Sequence, residues 1–176
     1  YDLKNGRCIW GEFMKNKNIY VTKPFLPPIE EFEVYLEQIW KSNILTNQGS
    51  IHKKFEKELE TYLKVPNVTL TINGHMALDI ALKALKLQGE VITTPFTFAS
   101  TVHAISLNGL KPVFCDIKPG DYTIDEDKIE SLITENTSAI MPVHVYGHPC
   151  NVEAIKRIAD KYGLKIIYDA AHAFGV

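Results

Sequence analysis

Cysteine is scarce in this chain: Cys8, Cys115 and Cys150 stand far apart among 176 residues, with no Cys-x-x-Cys spacing. That argues against a disulfide frame or a cysteine-built zinc site and favours a reducing, cytoplasmic setting. An excess of charge of one sign is also missing. The 19 Lys+Arg and 21 Asp+Glu give a net charge of −2 and are scattered rather than blocked, so neither nucleic acid nor an anionic membrane is an expected partner. No apolar run approaches the roughly 20 residues that cross a bilayer, and the first residues lack the apolar core of a signal peptide. Neither a G-x-G-x-x-G turn nor a Walker loop occurs, which removes those two modes of nucleotide binding.

What is present is an ordinary globular composition, 45% hydrophobic and 23% charged, which leads us to expect one domain with a sizeable core. Met14 is a plausible natural start, so residues 1–13 are expected to be an upstream extension or a remnant of expression. The chain stops just after Phe174-Gly175, which reads as a truncation. The domain is therefore taken as residues 14–176.

Pro24, Pro27 and Pro28 predict an extended lead-in. Ile29, Phe32, Leu36, Ile39 and Trp40 then recur at helical spacing to Ser42. After the turn-rich Asn43–Gly49, Ser50 is a candidate cap for a second helix with Ile51, Phe55, Leu59, Tyr62 and Leu63 on one face, closed by Pro66. From there strand and helix alternate: strands at Val68–Ile72, Glu90–Thr93, Pro112–Asp116, Ser138–Val143 and Ile166–Tyr168, and helices at Met76–Leu87, Phe98–Leu107, Glu126–Thr134 and Val152–Tyr162. Short, apolar, non-alternating strands between helices indicate a mainly parallel α/β sheet sandwiched by helices, with right-handed crossovers.

Four stretches at strand ends carry possible chemistry. Asp169 is a lone carboxylate delivered to the end of the last strand, followed by Ala170-Ala171 and His172. It is either a cap for the next turn or a ligand contact in the place where open α/β sheets bind ligands. Asn73-Gly74-His75 leads into a helix whose first amides could hold a phosphate, or is plain packing. Thr94-Pro95-Phe96-Thr97-Phe98 offers an aromatic that either fills the core or lies over a flat ligand, and the sequence does not decide which phenylalanine faces outward. His144, Tyr146 and His148 crowd another strand end. No acid or cysteine completes a metal set there, so substrate or subunit contacts are expected. A phosphate cradle, a flat aromatic and an acid are together what a planar phosphorylated pyridine cofactor requires, because a carboxylate keeps its ring nitrogen protonated.

The ordered stretches Val21–Pro28, Leu45-Thr46-Asn47-Gln48-Gly49, Asn73–Leu78, Thr94–Phe98, Lys111–Ile117, Pro142–Gly147 and Asp169-Ala170-Ala171-His172 resemble the DegT/DnrJ/EryC1/StrS family of pyridoxal-phosphate sugar aminotransferases. The subgroup it looks most similar to aminates C4 of a nucleotide-linked 4-keto-6-deoxyhexose. The resemblance implies the large domain of a fold-type-I pyridoxal 5′-phosphate (PLP) transferase. It implies that Asp169 pairs with the pyridinium nitrogen, His172 hydrogen-bonds near the phenolic oxygen, Phe98 stacks on the ring, and the amides of Gly74 and His75 hold the phosphate. The family more often has threonine at the position of His75, so the amide contact carries over and a hydroxyl contact does not. Thr46 and Gly49 fall in the family's substrate loop, and His144 and Tyr146 are further substrate candidates. A homodimer is implied as well.

The family's Schiff-base lysine lies beyond the Asp-x-x-His strand, and Lys156, Lys161 and Lys165 all precede that strand. The expectation is therefore the N-terminal part of a sugar-nucleotide aminotransferase cycling between PLP and pyridoxamine phosphate with an amino donor such as glutamate, inactive as this chain alone. Alternatives are a dehydratase of the same family with histidine in place of the lysine, or a non-catalytic binding or assembly module.

Overall fold

A computed structural model describes residues 24–176, and the chain divides into two compact units between Lys54 and Phe55. The expectation for residues 1–13 and the motif residues 21–23 lie outside the described residues.

In the first unit, Pro28 is extended (φ −51°, ψ 139°) and opens helix α1, Ile29–Ser42. Glu30 and Glu31 in its first turn and Lys41 in its last suit the helix dipole. Asn43 ends it in a left-handed conformation, donating its N–H to Ile39 and Trp40 carbonyls. None of its residues is buried. Helix α2, Ser50–Leu63, begins one residue earlier than a Ser50 cap requires. The Gly49 carbonyl accepts the first helical bond, from Lys53 N–H at 3.1 Å, so Gly49 is the cap and Ser50 lies inside the first turn. The helix ends three residues before Pro66, with Lys64 left-handed at φ 55° and Val65 kept out of the helical region by the proline.

The second unit runs α3 (Gly74–Leu85), β1 (Glu90–Thr93), α4 (Ala99–Leu107), β2 (Lys111–Phe114), α5 (Glu126–Ile129) with a 3₁₀ turn, β3 (Thr137–Ile140), α6 (Val152–Tyr162) and β4 (Lys165–Ile166). All strand pairs are parallel, in the order β2-β1-β3-β4. The expected first strand, Val68–Ile72, does not form. Leu70 gives its N–H to the Glu56 side chain rather than to a neighbouring strand, and Thr71 Oγ1 turns back to the Asn73 carbonyl. The strand expected over Ser138–Val143 leaves its ladder at Ile140, because Pro142 has no N–H to donate. Val143 rejoins as an isolated bridge to Asp169. The strands expected at Pro112–Asp116 and Ile166–Tyr168 are likewise shifted to Lys111–Phe114 and Lys165–Ile166. The helix expected to Thr134 tightens to 3₁₀ at Glu130–Leu132 and ends with Ile133 extended. Asn73 takes the cap position of α3, so that helix occupies Gly74–Leu85 rather than Met76–Leu87.

The sheet is buried on both faces, which is why its strands do not alternate. Val91, Ala139 and Met141 pack with Leu78, Leu82, Ala104 and Ile105 of α3 and α4. Ile92 and Ile140 pack on the other side with Ile129, Ile155 and Ile158 of α5 and α6. Burying each such large aliphatic side chain is worth roughly 1.5–3 kcal/mol. The connection out of β1 passes through α4 to β2 on one side, and that out of β3 passes through α6 to β4 on the other. The loops following two adjacent strands therefore diverge to opposite faces, which opens a crevice at their carboxyl ends.

Candidate functional site

A cleft of about 360 Å³ occupies that crevice. Residues 95–98 line it from the loop after β1, Val143, Val145 and Tyr146 from the loop after β3, and Asp169, Ala171 and His172 from the segment after β4. Backbone bonds lock the last of these in place. Asp169 N–H donates to the Pro142 carbonyl at 2.9 Å, and its own carbonyl accepts from His144 N–H at 3.0 Å. Asp169 is only 9% exposed. Its Oδ2 accepts from Thr101 Oγ1 at 2.6 Å and its Oδ1 from Ala171 N–H at 3.2 Å. The second contact is the turn-capping bond foreseen for a strand-end acid. It uses one oxygen only, and no lysine or arginine lines the cleft among the described residues.

Of the two phenylalanines, Phe98 projects outward, 75% exposed against 37% for Phe96. Phe96 is held by Tyr122, with ring centroids 5.6 Å apart, and by the edge of Tyr146 at 6.1 Å. Phe98 precedes α4 as its cap residue, so a loose aromatic face stands at the mouth of the cleft.

His172 Nδ1 accepts the Tyr146 N–H at 3.3 Å, which assigns the proton of a neutral imidazole to Nε2. The Tyr146 and His172 rings stack at 6.0 Å and 4°. Tyr146 adopts φ 53° and Gly147 φ 83°. A Cβ on Gly147 would come within 3.2 Å of the His172 carbonyl, so the glycine permits this close approach. His144 is not among the residues lining the cleft; it is stacked on Tyr168 at 4.9 Å, and its Nδ1 accepts Cys150 N–H at 3.0 Å. Burial lowers its affinity for a proton, with the Asp169 charge acting partly in the opposite sense. Cys150 and Cys115 are buried thiols, each pushed up to about 11, chiefly by desolvation, and so are unreactive at neutral pH.

Gly74 and His75 do not line this cleft, but the start of α3 has a defined set of free donors. Asn73 Oδ1 takes Met76 N–H at 2.9 Å and the Asn73 carbonyl takes Ala77 N–H at 3.2 Å. The amides of Gly74 and His75 have no hydrogen-bond partner among the described residues. An added Cβ at Gly74 would meet nothing within 4 Å, so the glycine leaves the approach open without a left-handed turn. Free amides and the positive end of a helix dipole suit a phosphate. Thr46 and Gly49 belong to the first unit, beside a cavity of about 310 Å³ lined by Trp40, Leu45 and Ser50 among others.

Thr101, and Thr97 as a hydroxyl rather than as part of the Thr94–Phe98 stretch, also belong to the surroundings of Asp169. Their only signal in the sequence is the i, i+4 spacing of two hydroxyls, one just before and one just inside the start of a helix.

The parallel α/β sheet thus carries a buried acid and an outward aromatic at one cleft, with free helix-start amides outside that cleft's lining. Residues 28–176 match the model of the DegT/DnrJ/EryC1/StrS aminotransferase family, and the chain belongs to that family. It is similar to a dTDP-4-amino-4,6-dideoxy-D-glucose transaminase of Escherichia coli, 56% identical over 163 residues, which are 93% of this chain and 44% of the relative. It is 37% identical to a 3-oxo-glucose-6-phosphate:glutamate aminotransferase of Bacillus subtilis, over 93% of this chain and 40% of that protein. Among solved structures it is similar to DesI in the presence of its TDP-sugar product, with TM-score 0.86 and 34% identity over 91% of this chain and 41% of that one. The chain thus spans less than half the length of these relatives.

Proposed function

We propose that these residues form part of the PLP or pyridoxamine phosphate site of an enzyme that transfers an amino group from an amino acid, glutamate by expectation, to a nucleotide-linked 4-keto-6-deoxyhexose. Residues 14–176 are then the N-terminal part of its cofactor-binding domain. The observation that carries this reading is Asp169, a carboxylate buried at the switch point of the sheet with no cation of its own among the residues lining the cleft. One related structure, of NtdA from Bacillus subtilis, is described as having bound cofactor PMP; it is 36% identical with TM-score 0.75 over 88% of this chain and 38% of that one.

When bound, the cofactor supplies an electron-accepting ring and a carrier for the amino group. The residues of this chain hold and tune it. Asp169 would offer its carboxylate to the ring nitrogen and keep the proton there. Phe98 would cover one ring face, and His172, protonated at Nε2, would donate near the phenolic oxygen. The Gly74 and His75 amides would hold the phosphate. Thr46, Gly49, His144 and Tyr146 remain the substrate candidates. The described cleft contains no lysine, so the proton-moving amine must come from elsewhere in the whole protein, and this chain alone is expected to be inactive. A homodimer and a cytoplasmic location complete the proposal; the buried free thiols of Cys115 and Cys150 are in keeping with a reducing compartment.

The test is to titrate the whole protein with PLP and follow its visible absorbance, then assay glutamate-dependent amination of a nucleotide-linked 4-keto-6-deoxyhexose. Saturable binding with turnover is expected. A whole protein that binds neither PLP nor pyridoxamine phosphate overturns the reading.

A further inference from the structure

We infer that Thr101 is a positioning residue for Asp169 and that Thr97 orients Thr101, so that two hydroxyls in series fix the acid at the base of the cleft. Thr101 is fully buried, in the first turn of α4. Its Oγ1 lies 2.6 Å from Asp169 Oδ2 and 2.7 Å from Thr97 Oγ1. Thr101 has one hydroxyl proton and a carboxylate has none to give. Thr101 therefore donates to Oδ2, and Thr97 must donate to Thr101. The direction of the chain is set by counting protons: Thr97 to Thr101 to Asp169.

The 2.6 Å separation is that of a charge-assisted O–H···O⁻ bond. The other oxygen holds only the Ala171 amide, at 3.2 Å. Removing the Thr101 hydroxyl would leave Asp169 on that single longer bond, free to turn about its Cβ–Cγ axis. Threonine suits the post because its branched Cβ restricts the side-chain rotamer in a helix. The titratable side chains near the acid are His144, whose charge interacts with it, Tyr168 stacked on His144, and His172 across the cleft. None of the three accepts a hydrogen bond from Thr101.

What Asp169 holds rests on the proposed function; how Asp169 is held does not. The test therefore reads both. Thr101→Val keeps the shape and loses the hydroxyl, Thr101→Ser keeps the hydroxyl and loses the methyl, and Thr97→Val removes the second donor. In the cofactor-free whole protein, the ¹³C carboxyl resonance of Asp169 is expected to move in Thr101→Val, return in Thr101→Ser and move less in Thr97→Val. With PLP added, Thr101→Val should weaken binding by about tenfold or more and shift the pH midpoint of the visible band, with Thr101→Ser close to wild type. If Thr101→Val does not fold, Thr97→Val decides the matter, and an unmoved carboxyl resonance in it overturns the relay. A serine variant as impaired as the valine variant assigns Thr101 to packing and overturns the inference. Failure of the wild type to bind PLP overturns the proposed function but leaves the carboxyl resonance as the test of this one.

Discussion

Glu90 opens β1 at the amino end of the sheet and Asp169 follows β4 at the carboxyl end, and both residues are 9% exposed. Their company differs. Glu90 Oε1 accepts from Lys111 Nζ at 2.8 Å and Oε2 from Thr134 Oγ1 at 2.7 Å. The Lys111 bond, and then that of Thr134, hold its carboxyl below the ordinary range. It joins the start of β1 to the start of β2, its register partner. Asp169 has a hydroxyl and an amide and, among the described residues, no cation. A buried acid with its own lysine ties strands together. Asp169 has no such tie, and under the proposed function its carboxylate is left for a group that arrives from outside.

The most severe way to break this comparison is Asp169→Asn in the whole protein. Turnover is expected to fall on the order of 10³-fold, the scale for removing one preorganised electrostatic partner, while the urea midpoint of unfolding stays near wild type. A large loss of stability with little loss of turnover would make Asp169 a second Glu90. Next in size is Phe98→Ala. With the ring so exposed, unfolding free energy should change by no more than about 0.5 kcal/mol, while PLP affinity, read by absorbance titration, falls roughly tenfold through lost ring contact.

Glu90→Gln is the converse test. The urea midpoint at neutral pH should drop with PLP affinity unchanged. Because the folded carboxyl lies below its ordinary 4.5, its contribution is present above that pH and is lost as pH falls further. Wild-type and variant unfolding midpoints should therefore converge in acid.

The smallest effect concerns His144, the imidazole whose charge interacts with Asp169. Burial lowers it from 6.5, so the unfolded chain takes up its proton first as pH falls. Its contribution is present above that pH and lost on acidification. His144→Asn should flatten the slope of the urea midpoint against pH just below 6.5. A slope unchanged by the substitution would mean that His144 is not the group held neutral beside Asp169.

Much of this was legible because local and global preferences agree. The Glu90–Thr93 strand and the Val152–Tyr162 helix have the predicted bounds, the first because every residue is buried, the second because Asn151 caps its start and a left-handed Gly163 ends it. Asp169 was visible as an acid after an apolar run. The strand order was not legible, since alternation implies parallel pairing but not which neighbour each strand takes. Val68–Ile72 has β-branched residues but forms no strand; a side chain, that of Glu56, takes the Leu70 amide. Phe96 and Phe98 could not be told apart, because the choice depends on Tyr122 and Tyr146, both in left-handed conformations distant in sequence. Thr101 was hidden because only its i, i+4 spacing to Thr97 sets it apart from any other helical threonine, and Asp169 is 68 residues away in sequence.

The central place of β1 bears on how the chain is made. On the ribosome, β1 and β2 are the first strands to emerge and can pair at once, but the other edge of β1 belongs to β3, which starts only at Thr137. Until then Val91 and Ile92 sit on an open, apolar strand edge, the kind that neighbouring nascent chains can add to. Newly made chains should therefore need protection during that interval, and a pause in translation between β2 and β3 would be the most damaging place for one.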